Sequence, residues 1–168
     1  MSQKVVLESF DIGISDADRS AVTLALANLL ADTYTLYLKT HNYHWNVTGA
    51  RFRDLHLMFE EQYNELALAV DMIAERIRTL GARAPGSYAS FAKLSKVQDA
   101  NDDAQSPDSE QMLVHLADDN ATVVRTARVA LELAENANDE SSASLISDRM
   151  VVHEKSAWML RSMQSSAG

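Results

Sequence analysis

The 168-residue chain contains no cysteine, only two prolines and only five glycines. Without cysteine it can form no disulfide, no thiol nucleophile and no cysteine-ligated zinc or iron–sulfur site. It has no run of 18 apolar residues and no apolar signal segment at its start, so we expect a cytoplasmic protein without a membrane span. Its net charge of −9 disfavours passive binding to DNA or to anionic lipid.

The scarcity of glycine and proline leaves three long stretches that suit helices and offer few turns for a β-sheet. Apolar residues at helical spacing predict helices over residues 16–43 and 51–80. The stretch after Pro107 is too long for one straight helix, so we divide it at residues 135–142, which favour a turn and a new helix start. The sequence therefore predicts an all-α four-helix bundle.

The bundle is expected to span residues 15–165, after an N-terminal tail of residues 1–14. A long connection, residues 82–107, separates the second and third helices, and residues 90–94 have the composition to form a short helix within it. For the last helix, one apolar face is predicted to contain Leu145, Val152, Ser156, Met159 and Met163. Trp158 and the seven methionines are interpreted as packing residues.

The second helix carries a polar stripe in addition to its apolar one. Its members step by three or four residues along the helix: His56, Glu60, Asn64, Ala67, Asp71 and Glu75. The pairs His56/Glu60 and Asp71/Glu75 each place two side chains on one face. Imidazole and carboxylate together suit divalent iron, manganese or zinc. An exposed charged face with no ligand is the alternative interpretation.

The two pairs cannot share a metal within one chain. Fifteen residues separate His56 from Asp71, which is about 22 Å along a helix, whereas metal ligands lie within about 2–2.5 Å of the ion. If two copies of the helix cross antiparallel about a two-fold axis near residues 64 and 65, position 56 of one copy lies opposite position 73 of the other. Each His56 then lies between Asp71 and Glu75 of the neighbour, which gives two sites per dimer.

His44, at the end of the first helix, supports this hypothesis, because an antiparallel hairpin returns it to the start of the second helix, near His56. His41 could reach the same face, but a polar role at the helix end is favoured. His115 and His153 have no matching partners and are interpreted as structural or exposed. No Glu-x-x-His motif is present, which argues against a di-iron site inside one bundle.

Taken together, three segments resemble the Dps family of ferritin-like mini-ferritins. They are His44-Trp45-Asn46-Val47 followed by His56 twelve residues later, the stretch FEEQYNELALAVDMIAERIRTLG, and HEKSAWMLRS in the last helix. The resemblance covers roughly residues 16–163. It implies a ferritin-like fold and a hollow homo-oligomeric shell of twelve subunits that oxidises iron at sites between two-fold-related subunits.

The resemblance also implies roles for individual residues. His44 and His56 match the family's histidine ligands from one subunit, and Asp71 and Glu75 match the carboxylate ligands from the other. Glu60 matches a further carboxylate near the site, and Trp45 matches a tryptophan beside the metals. The implied activity is a ferroxidase that uses H2O2 in preference to O2, stores ferric mineral and so protects DNA from oxidative damage.

The sequence also bears on two other properties of the family, DNA binding and the entry of iron into the shell. Direct DNA binding is doubtful, because the first 14 residues hold only Lys4 against Glu8 and Asp11, and no basic residue follows Arg161. Asp139, Glu140 and Asp148 are candidates for lining a pore through which iron enters, although capping and a solvated face are the favoured interpretation. The alternative functions are a nucleoid-binding protein with a vestigial metal site and a helical interaction module without activity.

Overall fold

The structure is a computed structural model that describes residues 5–100 and 106–164. The described residues form five helices and no strand: α1 (Asp16–Asn46), α2 (Phe52–Thr79), α3 (Tyr88–Leu94), α4 (Ser109–Asn136) and α5 (Glu140–Ser162). Helices α1 and α2 form one hairpin, α4 and α5 form the other, and α1 also packs against α4. The short α3 lies against α1 within the long connection. The predicted four-helix bundle is confirmed.

Local signals at the helix ends explain why the chain divides where it does. The Ser15 side chain accepts a hydrogen bond from the Asp18 amide, and Asp108 forms a capping box with Gln111 at the start of α4. Gly81 ends α2 with a φ of +89°, a conformation that side chains with a Cβ rarely adopt. The predicted boundaries of α1 and α2 therefore hold to within three residues.

The described part of the predicted tail, residues 5–14, packs against the end of α2. The Glu8 amide donates to the Gly81 carbonyl at 2.8 Å. The buried Arg19 guanidinium donates to the Glu8 and Leu80 carbonyls and lies 4.5 Å from the centre of the Phe10 ring. A Cβ on Gly81 would lie 2.8 Å from that ring, so glycine is needed there for space as well as conformation. Residues 1–4 and 165, and residues 101–105 of the connection, lie outside the described part.

The apolar stripes of α2 and α4 face the core. In α4, positions that step by three and four residues are buried along the whole helix: Leu113, Leu116, Asn120, Val123, Ala127, Ala130 and Ala134. By length and composition α1 is the one helix among the described residues that is apolar enough to cross a membrane. Most of its apolar window is buried in the bundle, however, as is usual for a core helix, so it is weak evidence for a span.

The prediction of which face of α5 is buried is wrong. The residues assigned to it are only partly buried, and Trp158 is 60% exposed rather than packed. The buried positions are instead Ser142, Ala143, Ile146, Arg149, His153, Ala157 and Leu160. Apolar periodicity misses this face because two of its central positions are polar side chains that find partners inside the bundle.

These partners come from two other helices. Arg149 pairs with Glu65 of α2, and its second terminal nitrogen lies 2.9 Å from the other carboxylate oxygen. His153 donates from Nδ1 to the Asn120 Oδ1 at 2.9 Å, since the Asn120 amide nitrogen itself donates to the Leu116 carbonyl. The remaining nitrogen, Nε2, faces the Arg149 guanidinium at 3.4 Å. A proton on Nε2 would therefore place two cations together in the core.

Protonation of His153 is expected to destabilise the bundle in acid. Burial, and then the charge of Arg149, lower the pKa of His153 from 6.5 to about 3. Since the unfolded chain takes up this proton first, the contribution is fully present above pH 6.5 and is lost as pH falls towards 3. Between pH 6.5 and 5 the free energy of unfolding should fall by about 2 kcal/mol. Denaturant titrations of the wild type at fixed protein concentration measure this loss.

The matched variants are His153→Gln and His115→Gln. Glutamine cannot gain a proton, so His153→Gln should lack this part of the acid sensitivity, although its stability at pH 7 is lower. His115 is exposed, and its replacement should leave the acid sensitivity unchanged. An equal loss of stability between pH 6.5 and 5 in His153→Gln and the wild type would contradict the assignment.

Candidate metal centre

His44 and His56 are brought together by the α1–α2 hairpin. Their rings stack with centres 3.8 Å apart and an interplanar angle of 20°. The Nδ1 atom of each ring lies 2.9 Å from the backbone carbonyl oxygen of the other residue. Two reciprocal hydrogen bonds therefore hold the two rings together across the hairpin. The sequence had predicted that the two histidines lie close to each other.

These hydrogen bonds determine which nitrogen of each ring is free. A carbonyl oxygen can only accept, so both Nδ1 atoms must carry the proton. In the neutral imidazoles the lone pairs are then on the two Nε2 atoms. A backbone carbonyl that fixes the tautomer of a histidine is a common arrangement behind metal-binding imidazoles. The pair is thus prepared to offer two nitrogen ligands from one subunit.

The predicted carboxylates lie along the outer face of α2. Glu60 is half-buried, while Asp71 and Glu75 are exposed. None of the three forms an ion pair or a side-chain hydrogen bond with any described residue. Since α2 is one continuous helix, the Asp71/Glu75 pair stays far from the histidines. Among residues 5–100 and 106–164, no three histidine, aspartate or glutamate side chains come close enough to hold a metal ion.

The same outer face of α2 exposes large apolar side chains. Leu68 is 69% exposed, and Leu57 and Met72 are each 45% exposed. Asn64 and Ala67, small residues near the middle of the helix, are exposed as well. Met72, which the sequence suggests is a packing residue, is therefore not packed in the core of the subunit. An apolar face of this kind on a single subunit indicates a surface that contacts another protein.

Aromatic side chains surround the histidine pair. Trp45 is 59% exposed, and its ring lies 4.1 Å from that of His41. His41 also stacks on Tyr63 at 4.0 Å, and Tyr63 meets His44 edge-on at 5.1 Å. Burial, and then the neighbouring His44, lower the pKa of His41. A polar role at the helix end was predicted for His41, and this stack was not. The four-residue spacing of His41 and Trp45, which places both on one face of α1, could have indicated part of it.

The remaining acidic and histidine candidates have structural environments. Asp139 is buried as the N-cap of α5, where it accepts from the Ser142 amide and pairs with Arg76 at 2.6 Å. Burial alone would raise the pKa of Asp139, but the hydrogen bonds from Arg76 and Ser142 outweigh it and lower the pKa. The two other pore candidates, Glu140 and Asp148, are exposed. His115 bonds to the Tyr43 hydroxyl, and His153 belongs to the core.

Comparisons with known proteins agree with this architecture. A family model for the ferritin-like domain matches residues 23–166. DNA protection during starvation protein 2 of Bacillus anthracis is 35% identical over 132 residues, which are 79% of this chain and 88% of that protein. A low-temperature-induced protein of Nostoc is 37% identical over 153 residues, covering 90% of this chain and 84% of that protein.

A solved structure gives the same result. The Dps protein of Vibrio cholerae, described as a member of a broad superfamily of ferritin-like diiron-carboxylate proteins, superposes with a TM-score of 0.86 at 34% identity. The match covers 94% of this chain and 97% of that one. The chain therefore belongs to the Dps family of ferritin-like proteins.

Proposed function

We propose that the protein is a ferroxidase that oxidises Fe²⁺ at sites shared between two subunits and stores the ferric product inside a hollow shell of twelve subunits. One observation carries the proposal. At one end of α2, His56 is held beside His44 of α1, and the exposed pair Asp71/Glu75 without a described partner lies at the other end. Each pair is half of a ligand set, and a two-fold axis joins the halves.

The register of two such helices is consistent with this arrangement. With the axis near residues 64 and 65, position 56 of one subunit lies opposite position 73 of the other, between the two carboxylates. Asn64 and Ala67, both exposed, permit the helices to approach closely at the crossing. The exposed Leu68 and Met72 lie on the same face and would be buried by the contact.

The ligand set suits iron as a substrate. Two imidazole nitrogens and the carboxylates bind Fe²⁺, and the anionic oxygens favour the higher charge of Fe³⁺. Reduction of H2O2 to water takes two electrons, which two ferrous ions supply together without release of a hydroxyl radical. Glu60, one turn after His56 in α2, adds a further carboxylate on the same face. DNA is then protected by the removal of iron and peroxide.

Shared sites predict complementation between inactive variants. His56→Ala and Asp71→Ala should each abolish peroxide-driven iron oxidation, because each removes a ligand from every site. In a mixed dimer one site has lost both groups, while the other is intact. Reassembled equal mixtures should therefore recover about a quarter of the wild-type activity, since half of the dimers are mixed and each keeps one of two sites. The absorbance of the ferric product measures the rate.

The matched control mixes His44→Ala with His56→Ala. Both histidines of a site come from the same subunit, so no combination of these two variants restores a site, and the mixture should stay inactive. Recovery in this control, or none in the His56→Ala and Asp71→Ala mixture after confirmed assembly, would contradict sites shared in this way.

The proposed interface predicts an effect of charge at Leu68. In the register above, position 68 lies opposite Glu61 of the neighbouring subunit. Leu68→Glu should place like charges together and shift light scattering towards smaller species. Leu68→Lys introduces a charge of the opposite sign at the same position and should assemble better at low salt. Since Leu68 is exposed in the subunit, circular dichroism should show full helicity in both variants. Equal assembly of the two would contradict the register.

A measurement of direct DNA binding distinguishes the proposed ferroxidase from the alternative function, a nucleoid-binding protein. The net charge of −9 gives little attraction for phosphate groups. A gel-shift titration of the assembled protein without added Mg²⁺ should show no retardation of duplex DNA at moderate salt. Strong retardation that weakens steeply as salt rises would favour the nucleoid function, and iron oxidation by the same preparation shows whether the metal site is active.

A further inference from the structure

An open groove lies between the first half of α1, the connection that follows α2, and α3. Val5, from the segment ahead of α1, also lines it. Its volume is about 730 Å³, which falls within the range of about 300–1,000 Å³ that is typical of small-molecule sites. No residue of the candidate metal centre belongs to this lining, so the groove is a separate feature of the subunit.

The groove carries positive charge, although the chain as a whole has a net charge of −9. Arg83 and Lys93 both line it, and both are exposed. Neither side chain forms an ion pair or a hydrogen bond with a described residue. Among the described residues of the lining there is no aspartate and no glutamate. Two unpaired cations in a lining without an acid favour an anionic ligand.

The lining also contains a buried hydroxyl group without a partner. Thr23 is 3% exposed, and its Oγ1 atom has no hydrogen bond to any described residue. The other threonines of the same helix, Thr33, Thr35 and Thr40, each donate to the backbone carbonyl four residues earlier. Since a buried hydroxyl group is expected to be paired, Thr23 departs from the pattern of its own helix, and a molecule in the groove would supply the missing partner.

The rest of the lining is mainly apolar. Leu24 and Ala27 of α1, Pro85 of the connection and Leu94 of α3 contribute to it. An aliphatic chain that lies against these side chains would be removed from water, which is favourable in proportion to the apolar area covered. An inorganic anion would pair with the two cations but would leave this apolar surface uncovered. The lining therefore suits a ligand that has both a negative charge and an apolar body.

We propose that this groove binds a small organic anion with an aliphatic chain, of the class of medium-chain carboxylates. Arg83 and Lys93 pair with the carboxylate, and the Thr23 hydroxyl donates to one of its oxygens. The aliphatic chain lies along Leu24 and Leu94. Because the bound molecule contacts α1, α3 and the connection at once, it stabilises the folded subunit by mass action. The site does not depend on the proposed ferroxidase, so either can fail without the other.

Calorimetric titration of the assembled protein with hexanoate, octanoate and decanoate tests the proposal. Binding should saturate at one molecule per subunit, and the affinity should rise about fourfold for each methylene group that is buried. Acetate, which has the charge without the chain, and 1-octanol, which has the chain without the charge, should each bind at least about tenfold more weakly than octanoate. Equal binding of octanoate and 1-octanol, or no saturable binding of any carboxylate, would overturn the proposal.

The charge variant is the double substitution Arg83→Gln and Lys93→Gln. It should weaken octanoate binding about tenfold, because two partly exposed ion pairs with the carboxylate are lost. The matched control, Arg125→Gln with Lys155→Gln, removes the same charge from exposed positions outside the groove and should bind octanoate like the wild type. An equal affinity for octanoate in the charge variant and the wild type would contradict the assigned roles of Arg83 and Lys93.

The variant Thr23→Val tests the buried hydroxyl group. Valine has nearly the same shape as threonine but cannot donate a hydrogen bond. It should weaken octanoate binding, while the unfolding temperature without ligand stays the same or rises, since the hydroxyl group has no described partner in the free protein. Thermal unfolding followed by circular dichroism measures the second effect. Unchanged octanoate affinity in Thr23→Val would show that the hydroxyl group does not contact the ligand and would overturn its proposed role.

Discussion

The stiffness of α2 is the constraint on which the proposed function depends. Because Phe52–Thr79 is one uninterrupted helix, His56 and the pair Asp71/Glu75 are held apart at a distance that no side chain can span. A single subunit therefore presents two incomplete ligand sets and an exposed apolar face between them. In the proposed dimer, the same rigidity gives two antiparallel copies a fixed register, so that assembly completes the proposed metal sites.

The histidine pair shows how local structure prepares chemistry before any metal binds. The hairpin between α1 and α2 is closed by a short connection in which Gly49 adopts a φ of +105°. This closure places the carbonyl groups of residues 44 and 56 against the opposite imidazoles. The backbone thereby fixes both tautomers and leaves the Nε2 lone pairs available, so little reorganisation is needed when a ligand arrives.

Polar residues inside the bundle have a different role. Larger ferritin-like bundles build metal sites between facing helices, whereas this bundle places Arg149, Glu65, His153 and Asn120 among α2, α4 and α5. The Arg149 guanidinium and the Glu65 carboxylate satisfy each other's charge. These interior polar groups are thus paired with each other, and the proposed metal ligands lie on the outer face of α2 and at the end of α1.

The sequence by itself determined the helices, most of their ends and the spacing of the ligand pairs, because caps and helical periodicity act over a few residues. It also determined that His56 and Asp71 cannot meet, since that follows from helix rise alone. Only the tertiary structure decided which nitrogens of His44 and His56 are bonded to the backbone, that His41 stacks on Tyr63, and that Arg149 and His153 lie in the core. Each of these depends on contacts between residues distant in the chain, and such contacts leave no local pattern in the sequence.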